Sequence, residues 1–201
     1  MIADGVPKNR TSSSFMPTCG CRSQRVRREE LSVLFNGTIV DEQEVLAVCL
    51  GHLYIGGRQV VRSLTRSGLP LPGQEERALS YLRENFEGLG EETLADFLAK
   101  NREQHPVEPD FNPEGRLICL NDEEFAHIFG DREGWERFRQ TFPESDGTLR
   151  FSRVGFNQDM TQAMIYAGQQ FDWQIGFGGY WLFSKSDGTW TESGRLGTWI
   201  S

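Results

Sequence analysis

Acid–base chemistry starts with histidine, because imidazole is the side chain whose ordinary pKa lies near neutrality. The chain has three, His52, His105 and His127. His52 and His127 fall in helix-forming stretches with apolar neighbours, where a hydrogen-bonded structural role is expected, and His105 precedes a proline in a loop. None belongs to a His-Glu-x-x-His pattern, which would set two imidazoles one helical turn apart around zinc. The carboxylates available as partners are Asp159, Asp172 and the run Asp122, Glu123 and Glu124. Their spacing selects no pair, and acids opening a helix are already favoured by the positive end of its dipole.

Nucleophiles and phosphate-binding loops are equally unspecific. Cys49 and Cys119 sit in apolar runs and are expected to be small buried hydrophobes. Cys19-Gly20-Cys21 has no further cysteine or histidine close in sequence, so no metal site is assigned to it. Four cysteines do not make a disulfide framework in 201 residues. A Gly-x-Ser-x-Gly nucleophile elbow is absent. Gly176-Phe177-Gly178-Gly179 leads into an aromatic, strand-like run instead of a helix, so its N–H groups lack the geometry that holds a pyrophosphate. The residues therefore assign no catalytic group, metal or cofactor.

Binding is the better supported chemistry. A curved sheet covered by helices can enclose a small ligand, and aromatic and polar groups facing inward would hold it. Arg153, Asn157, Tyr166, Trp173 and Tyr180 are the expected ligand-binding residues. The ordinary alternative for each is a buried aromatic with one satisfied polar atom, or a solvated polar side chain.

The elements that must position these residues lie at the C-terminal end, 146–201, which reads as four strands folded back on one another. Asp187-Gly188 stands between two strand-like runs and fits a two-residue type I′ turn, whose central positions both need positive φ. Counting outward, Ser186 faces Thr189, Lys185 faces Trp190 and Phe183 faces Glu192. Alternation then puts Trp181, Phe183, Lys185 and Trp190 on one face and Tyr180, Leu182, Ser184 and Thr191 on the other. Upstream, Leu149 and Phe151 are out of phase with Val154 and Phe156, which predicts a bulge near Ser152 and Arg153. The strand over 161–168 is apolar on both faces and should be central. The glycines of 175–180 mark a bend, a bulge or close approach of another backbone, and a strongly curved sheet is the simplest reading.

Ahead of the meander, periodicity predicts helices over 41–54, 74–86, 91–102, 121–129 and 133–141. Asp41 with Glu44, and Asn121 with Glu124, have capping-box spacing. Trp135, Phe138 and Phe142 form an aromatic stripe expected to be core. Strands are predicted over 58–65 and 116–120, and the proline-rich stretches 66–73 and 105–115 should be loops. The run 31–35 is ambiguous between helix and strand.

The composition, 37% hydrophobic, suits one α+β domain over residues 29–201, with several helices packed on a curved C-terminal antiparallel meander. Residues 1–28 carry six basic groups against Asp4 alone and read as a disordered basic tail. The remainder is strongly acidic within a net charge of −8, which argues against a nucleic-acid partner. No apolar run approaches the roughly 18 residues of a transmembrane helix. No signal peptide is apparent, so a cytoplasmic location is expected unless the start is mis-assigned, and the sequon Asn36-Gly37-Thr38 is expected to be unused.

Helices followed by a C-terminal meander, with Gly188-Thr189-Trp190 after an Asp turn, are similar to the cone-shaped superfamily named after nuclear transport factor. The runs Ser152-Arg153-Val154-Gly155-Phe156-Asn157, Gln162-Ala163-Met164-Ile165-Tyr166 and Trp199-Ile200-Ser201 also resemble a pattern in uncharacterised bacterial proteins. The resemblance covers the last third of the chain. Its members include isomerases, dehydratases and non-catalytic binders, so it implies a fold more than an activity. The expected function is a non-catalytic small-ligand-binding or accessory domain. The alternatives are a hydrolase or lyase-like enzyme using a carboxylate and a histidine such as Asp159 and His127, or a scaffold for a protein partner.

Overall fold

The structure is a computed structural model that describes residues 39–53, 58–66, 75–107, 115 and 117–201. The basic tail, Cys19-Gly20-Cys21, the run 31–35, the sequon and most of the two proline-rich loops lie outside the described residues. Five helices are described: α1 (Ile39–His52), α2 (Glu75–Asn85), α3 (Glu91–Lys100), α4 (Asp122–Phe129) and α5 (Gly134–Thr141). Seven strands, β1 (Arg58–Arg62), β2 (Leu117–Leu120), β3 (Ser145–Phe151), β4 (Gly155–Phe156), β5 (Gln162–Asp172), β6 (Ile175–Ser186) and β7 (Thr189–Ile200), form one sheet. The fold is α+β. No described helix is long and apolar enough to cross a membrane.

The sheet order is β2-β1-β3-β5-β6-β7, with β4 pairing β5 beyond the end of β3. From β3 to β7 every pairing is antiparallel, as a meander requires. Asp187 (φ 51°) and Gly188 (φ 77°) make the tight turn, and Ser186–Thr189, Lys185–Trp190 and Phe183–Glu192 are opposed as counted. Beyond the meander, β1 pairs in parallel with both β3 and β2, which the local pattern did not specify.

The phase change in the first meander strand is a bulge. From Phe151 to Gly155 the chain takes four steps while its partner takes three, from Ala167 to Met164. Ser152 closes the defect: its N–H donates to the Tyr166 carbonyl and its hydroxyl accepts from the Tyr166 N–H, both at 2.9 Å. Two more bulges fall in the last hairpin, where Thr198 and Ser193 of β7 have no opposed residue in β6. No described strand pairs with the outer edge of β7.

Alternation gives the sheet two apolar faces. On one, α1 lays Val45, Cys49 and Leu50, with Leu53 just past its end, against Leu149, Ile165, Trp181, Phe183 and Trp190. The opposite face carries two separate packets. Leu82 of α2 and Phe86 just past its end, with Leu94 and Phe97 of α3, cover Met164, Tyr166, Tyr180 and Leu182. Ile128 of α4 with Trp135 and Phe138 of α5 cover Val60 and Leu120. The aromatic stripe of α5 is core, as its spacing predicted. Burial of this size, about 25 cal/mol per Å² of apolar surface, is what holds helices this short in place.

Helix ends show where local signals succeed. Asn121 accepts from Glu124 N–H while Glu124 accepts from Asn121 N–H, each at 2.9 Å, a complete capping box. Asp41 is not a cap, because α1 begins two residues earlier at Ile39. Its carboxylate instead takes Lys185 Nζ at 3.0 Å across to β6, raising the Lys185 pKa.

Candidate functional site

Between the two helix packets the sheet is left without a helical cover, and the register decides what stands there. Arg150 of β3 opposes Gly168 of β5, Gly168 opposes Gly178 of β6, and Gly178 opposes Trp199 of β7. A side chain at Gly178 would overlap the Trp199 indole, and one at Gly176 would come within 2.9 Å of it. The glycines thus form a floor over which the half-buried indole lies. Beside it is a recess of about 250 Å³, counting the open solvent at its mouth, with Arg66, Thr148, Arg150 and Tyr166 on its walls.

Tyr166 is the centre of this arrangement. Its hydroxyl accepts from Arg66 Nη1 at 2.7 Å and from Trp199 Nε1 at 2.7 Å. The Arg66 guanidinium also sits 4.5 Å from the centre of the Tyr166 ring, a cation–π contact. Arg66 is placed by its own N–H, which donates to the Phe151 carbonyl where β3 ends. With both lone pairs of the phenol taken, its own O–H has no acceptor among the described residues. Tyr180 stands behind, edge-on to Tyr166 at 5.2 Å, and burial pushes its phenol up to about 12, helped by Tyr166 and opposed by Arg66.

Charge in the recess is of one sign. Among the described residues Arg150 has no carboxylate partner, and Arg66 is bound to the Tyr166 hydroxyl. Although Arg150 is partly open to solvent, desolvation against the sheet lowers its pKa, reinforced by Arg66 and Arg62 and opposed by Tyr166. It stays a cation at neutral pH, as guanidinium does. Arg62 is neutralised by Asp122, Nε to Oδ1 at 2.9 Å. The recess itself contains no acidic side chain.

Of the five residues expected from sequence, Tyr166 lines this recess and Tyr180 packs against it. The other three lie elsewhere. Arg153 is engaged with Glu42, giving Nε at 3.0 Å and Nη2 at 2.5 Å, while its N–H donates to Asn101 Oδ1. Asn157 clasps the β4–β5 loop, its Oδ1 accepting from the N–H groups of Thr161 and Gln162. Trp173 is 51% exposed at the β5–β6 turn. Arg66, Arg150 and Trp199 were missed because each looks like a solvated or terminal residue alone. The available signal was the strand register, which puts Arg150 and Trp199 on the face of Tyr166.

The carboxylate and histidine of the enzyme reading do not meet: His127 is exposed on α4 and Asp159 is exposed in the β4–β5 loop. A different pair does, His52 Nδ1 and Glu192 Oε2 at 3.1 Å, on the outside of α1 and β7. Glu192 is also held by Arg195, Nε at 3.1 Å and Nη2 at 2.7 Å. One turn back, burial pushes the Cys49 thiol up to about 12, so no thiolate forms beside this pair near neutrality. Among the described residues no group of three or more His, Cys, Asp or Glu could hold a metal ion. Set against family models, curated proteins and solved structures, the chain matches none.

Proposed function

We propose that this chain is a non-catalytic ligand-binding or accessory module whose site is the recess between the two helix packets. The observation that carries the reading is the Tyr166 hydroxyl, which lines the recess, holds two donors and has no acceptor for its own proton among the described residues. Donors without acceptors beside a glycine floor suit a bound guest, and the absence of a carboxylate or imidazole from the walls supports binding over acid–base turnover. The resemblance to the cone-shaped superfamily is proposed on the same terms: helices ahead of a bent antiparallel meander support it, and the parallel β1 and β2 extend that pattern.

The test is a nuclear magnetic resonance screen of the full chain against acidic, neutral and basic fragments. Binding of any class that moves the Trp199 indole N–H signal supports the module. A screen in which no class moves it refutes the site.

A partner-binding scaffold is the second reading. It is favoured by Trp173, Ile175 and Ile200, exposed at 51%, 57% and 88% at the end of the sheet where β6 starts and β7 finishes. Ile200→Asp would abolish such an association, read by pull-down with a candidate partner, without touching the recess.

A further inference from the structure

Resting on that reading, we infer that the recess takes an oxyanion, the carboxylate or phosphate end of a small ligand, held between Arg66, Arg150 and the Tyr166 hydroxyl. Three independent features converge on one ligand chemistry. First, the polar groups are in donor roles. Among the described residues Arg66 uses one nitrogen on Tyr166 and has others without a bond, Arg150 has none of its five N–H groups committed, and the Tyr166 O–H has no acceptor. Thr148, on the same face one residue pair away, has a hydroxyl with no described partner and can add a fourth donor.

Second, the charge is uncompensated. Arg62 has Asp122, Arg137 has Asp131, Arg139 has Asp172, Arg153 has Glu42 and Arg195 has Glu192, whereas among the described residues Arg66 and Arg150, like the exposed Arg58, Arg77, Arg102 and Arg132, have no carboxylate. What sets Arg66 and Arg150 apart is that they line one recess together, in a chain whose net charge is −8. Their mutual repulsion also weakens the charged form of Arg150, a penalty that an anion between them would remove.

Third, the shape fits an end group. The recess is small and open, so it suits the head of a ligand whose remainder stays outside or lies along the Trp199 indole. Planar guanidinium forks match the two oxygens of a carboxylate or phosphate, and such charge-assisted contacts are about twice as strong as neutral ones. Arg66 is already oriented by its stacking on Tyr166, which lowers the ordering cost of gripping an anion.

The experiment titrates the full chain, at fixed ionic strength, with inorganic phosphate, acetate and the neutral amide acetamide, following the Trp199 indole N–H signal. Saturable movement with phosphate or acetate but not with acetamide is expected, and the tighter of the two assigns the head group. Arg150→Gln should weaken it by roughly tenfold, the size of a lost charge-assisted contact. Arg150→Lys should recover part of that loss, since the charge returns without the fork. Tyr166→Phe tests the third donor, with circular dichroism reporting that the fold persists. Movement that is absent, non-saturable or equal in Arg150→Gln overturns the inference. If acetamide or neutral fragments still bind at Trp199, the binding module stands and only its anion specificity fails. If nothing binds, both fall together.

Discussion

The Glu42 carboxylate is gripped by two nitrogens of Arg153, 111 positions further along the chain. Lys100 joins them: its Nζ lies 3.8 Å from Glu42, 2.8 Å from Asp96 and 3.2 Å from the Val154 carbonyl, with 2% of the side chain exposed. The cluster therefore ties α1, α3 and the bulge after β3 into one unit. Breaking a buried pair from one side is expensive because the remaining charge stays desolvated. Glu42→Gln is expected to cost about 3 kcal/mol, the lower end for buried pairs because Arg153 is part-exposed. Denaturant unfolding measures it, and a loss below about 1 kcal/mol would mean that Asp96 and solvent suffice for both cations.

Gly155 is placed so that α3 can approach the sheet. A Cβ there would lie 2.5 Å from the Cα of Phe97, and backbone does not swing aside as a side-chain tip would. Gly155→Ala is expected to destabilise by at least about 3 kcal/mol, the upper range for overpacking. The readout is the thermal midpoint; an unchanged midpoint would show that α3 slides without penalty.

Tyr180 gives the fold a base-sensitive point. Its folded pKa is raised to about 12 by burial, against about 10 for an ordinary phenol. A raised folded value favours the protonated fold, so this contribution is whole below about pH 10 and is lost as pH climbs from there toward 12. Phenolate absorbance should show a tyrosine ionising well above the ordinary phenol range, and Tyr180→Phe should remove that step and flatten the alkaline loss of stability. Ionisation of all tyrosines together near pH 10 in the native state would contradict the burial argument.

The final hairpin is set by two residues with positive φ. Asn adopts that conformation as readily as Asp, so Asp187→Asn is expected to leave the thermal midpoint nearly unchanged. Gly188→Ala places a Cβ in the left-handed region and should cost about 1–2 kcal/mol. Equal midpoints for the two variants would mean that β6 and β7 are held by their cores alone.

Legibility from sequence followed the range of the forces involved. The Asp187-Gly188 turn and the Asn121–Glu124 box are satisfied within a few residues, so the local string contains the whole argument. The bulge at Ser152 was readable because a shift of apolar phase has one cheap explanation in a strand. Asp41 shows the limit: the spacing to Glu44 was right, but a helix that starts at Ile39 leaves no orphan N–H for Asp41 to cap, and its charge finds Lys185 instead. Parallel pairing of β1 with β2 and β3 involves partners 58 and 87–88 residues away and leaves no local mark. The recess was half visible. Tyr166 and Tyr180 announced themselves as aromatics in a central strand, whereas Arg150 became distinctive only through the missing acid around it. The glycines of β6 suggest a strongly curved sheet or another backbone close by, but what crowds Gly178 is the Trp199 indole, a side chain from β7 that the local string does not announce.

The two extra residues in β7, Ser193 and Thr198, bear on how this molecule behaves in a crowded solution. A long, straight outer strand offers unused N–H and C=O groups at the regular spacing another chain needs in order to add itself, the first step of fibril growth. In β7 that spacing is broken twice within twelve residues, and Glu192 and Arg195 place charges along the same stretch. The longest edge among the described strands is thus a poor seed for amyloid, and straightening it by deleting both Ser193 and Thr198 would surrender that protection.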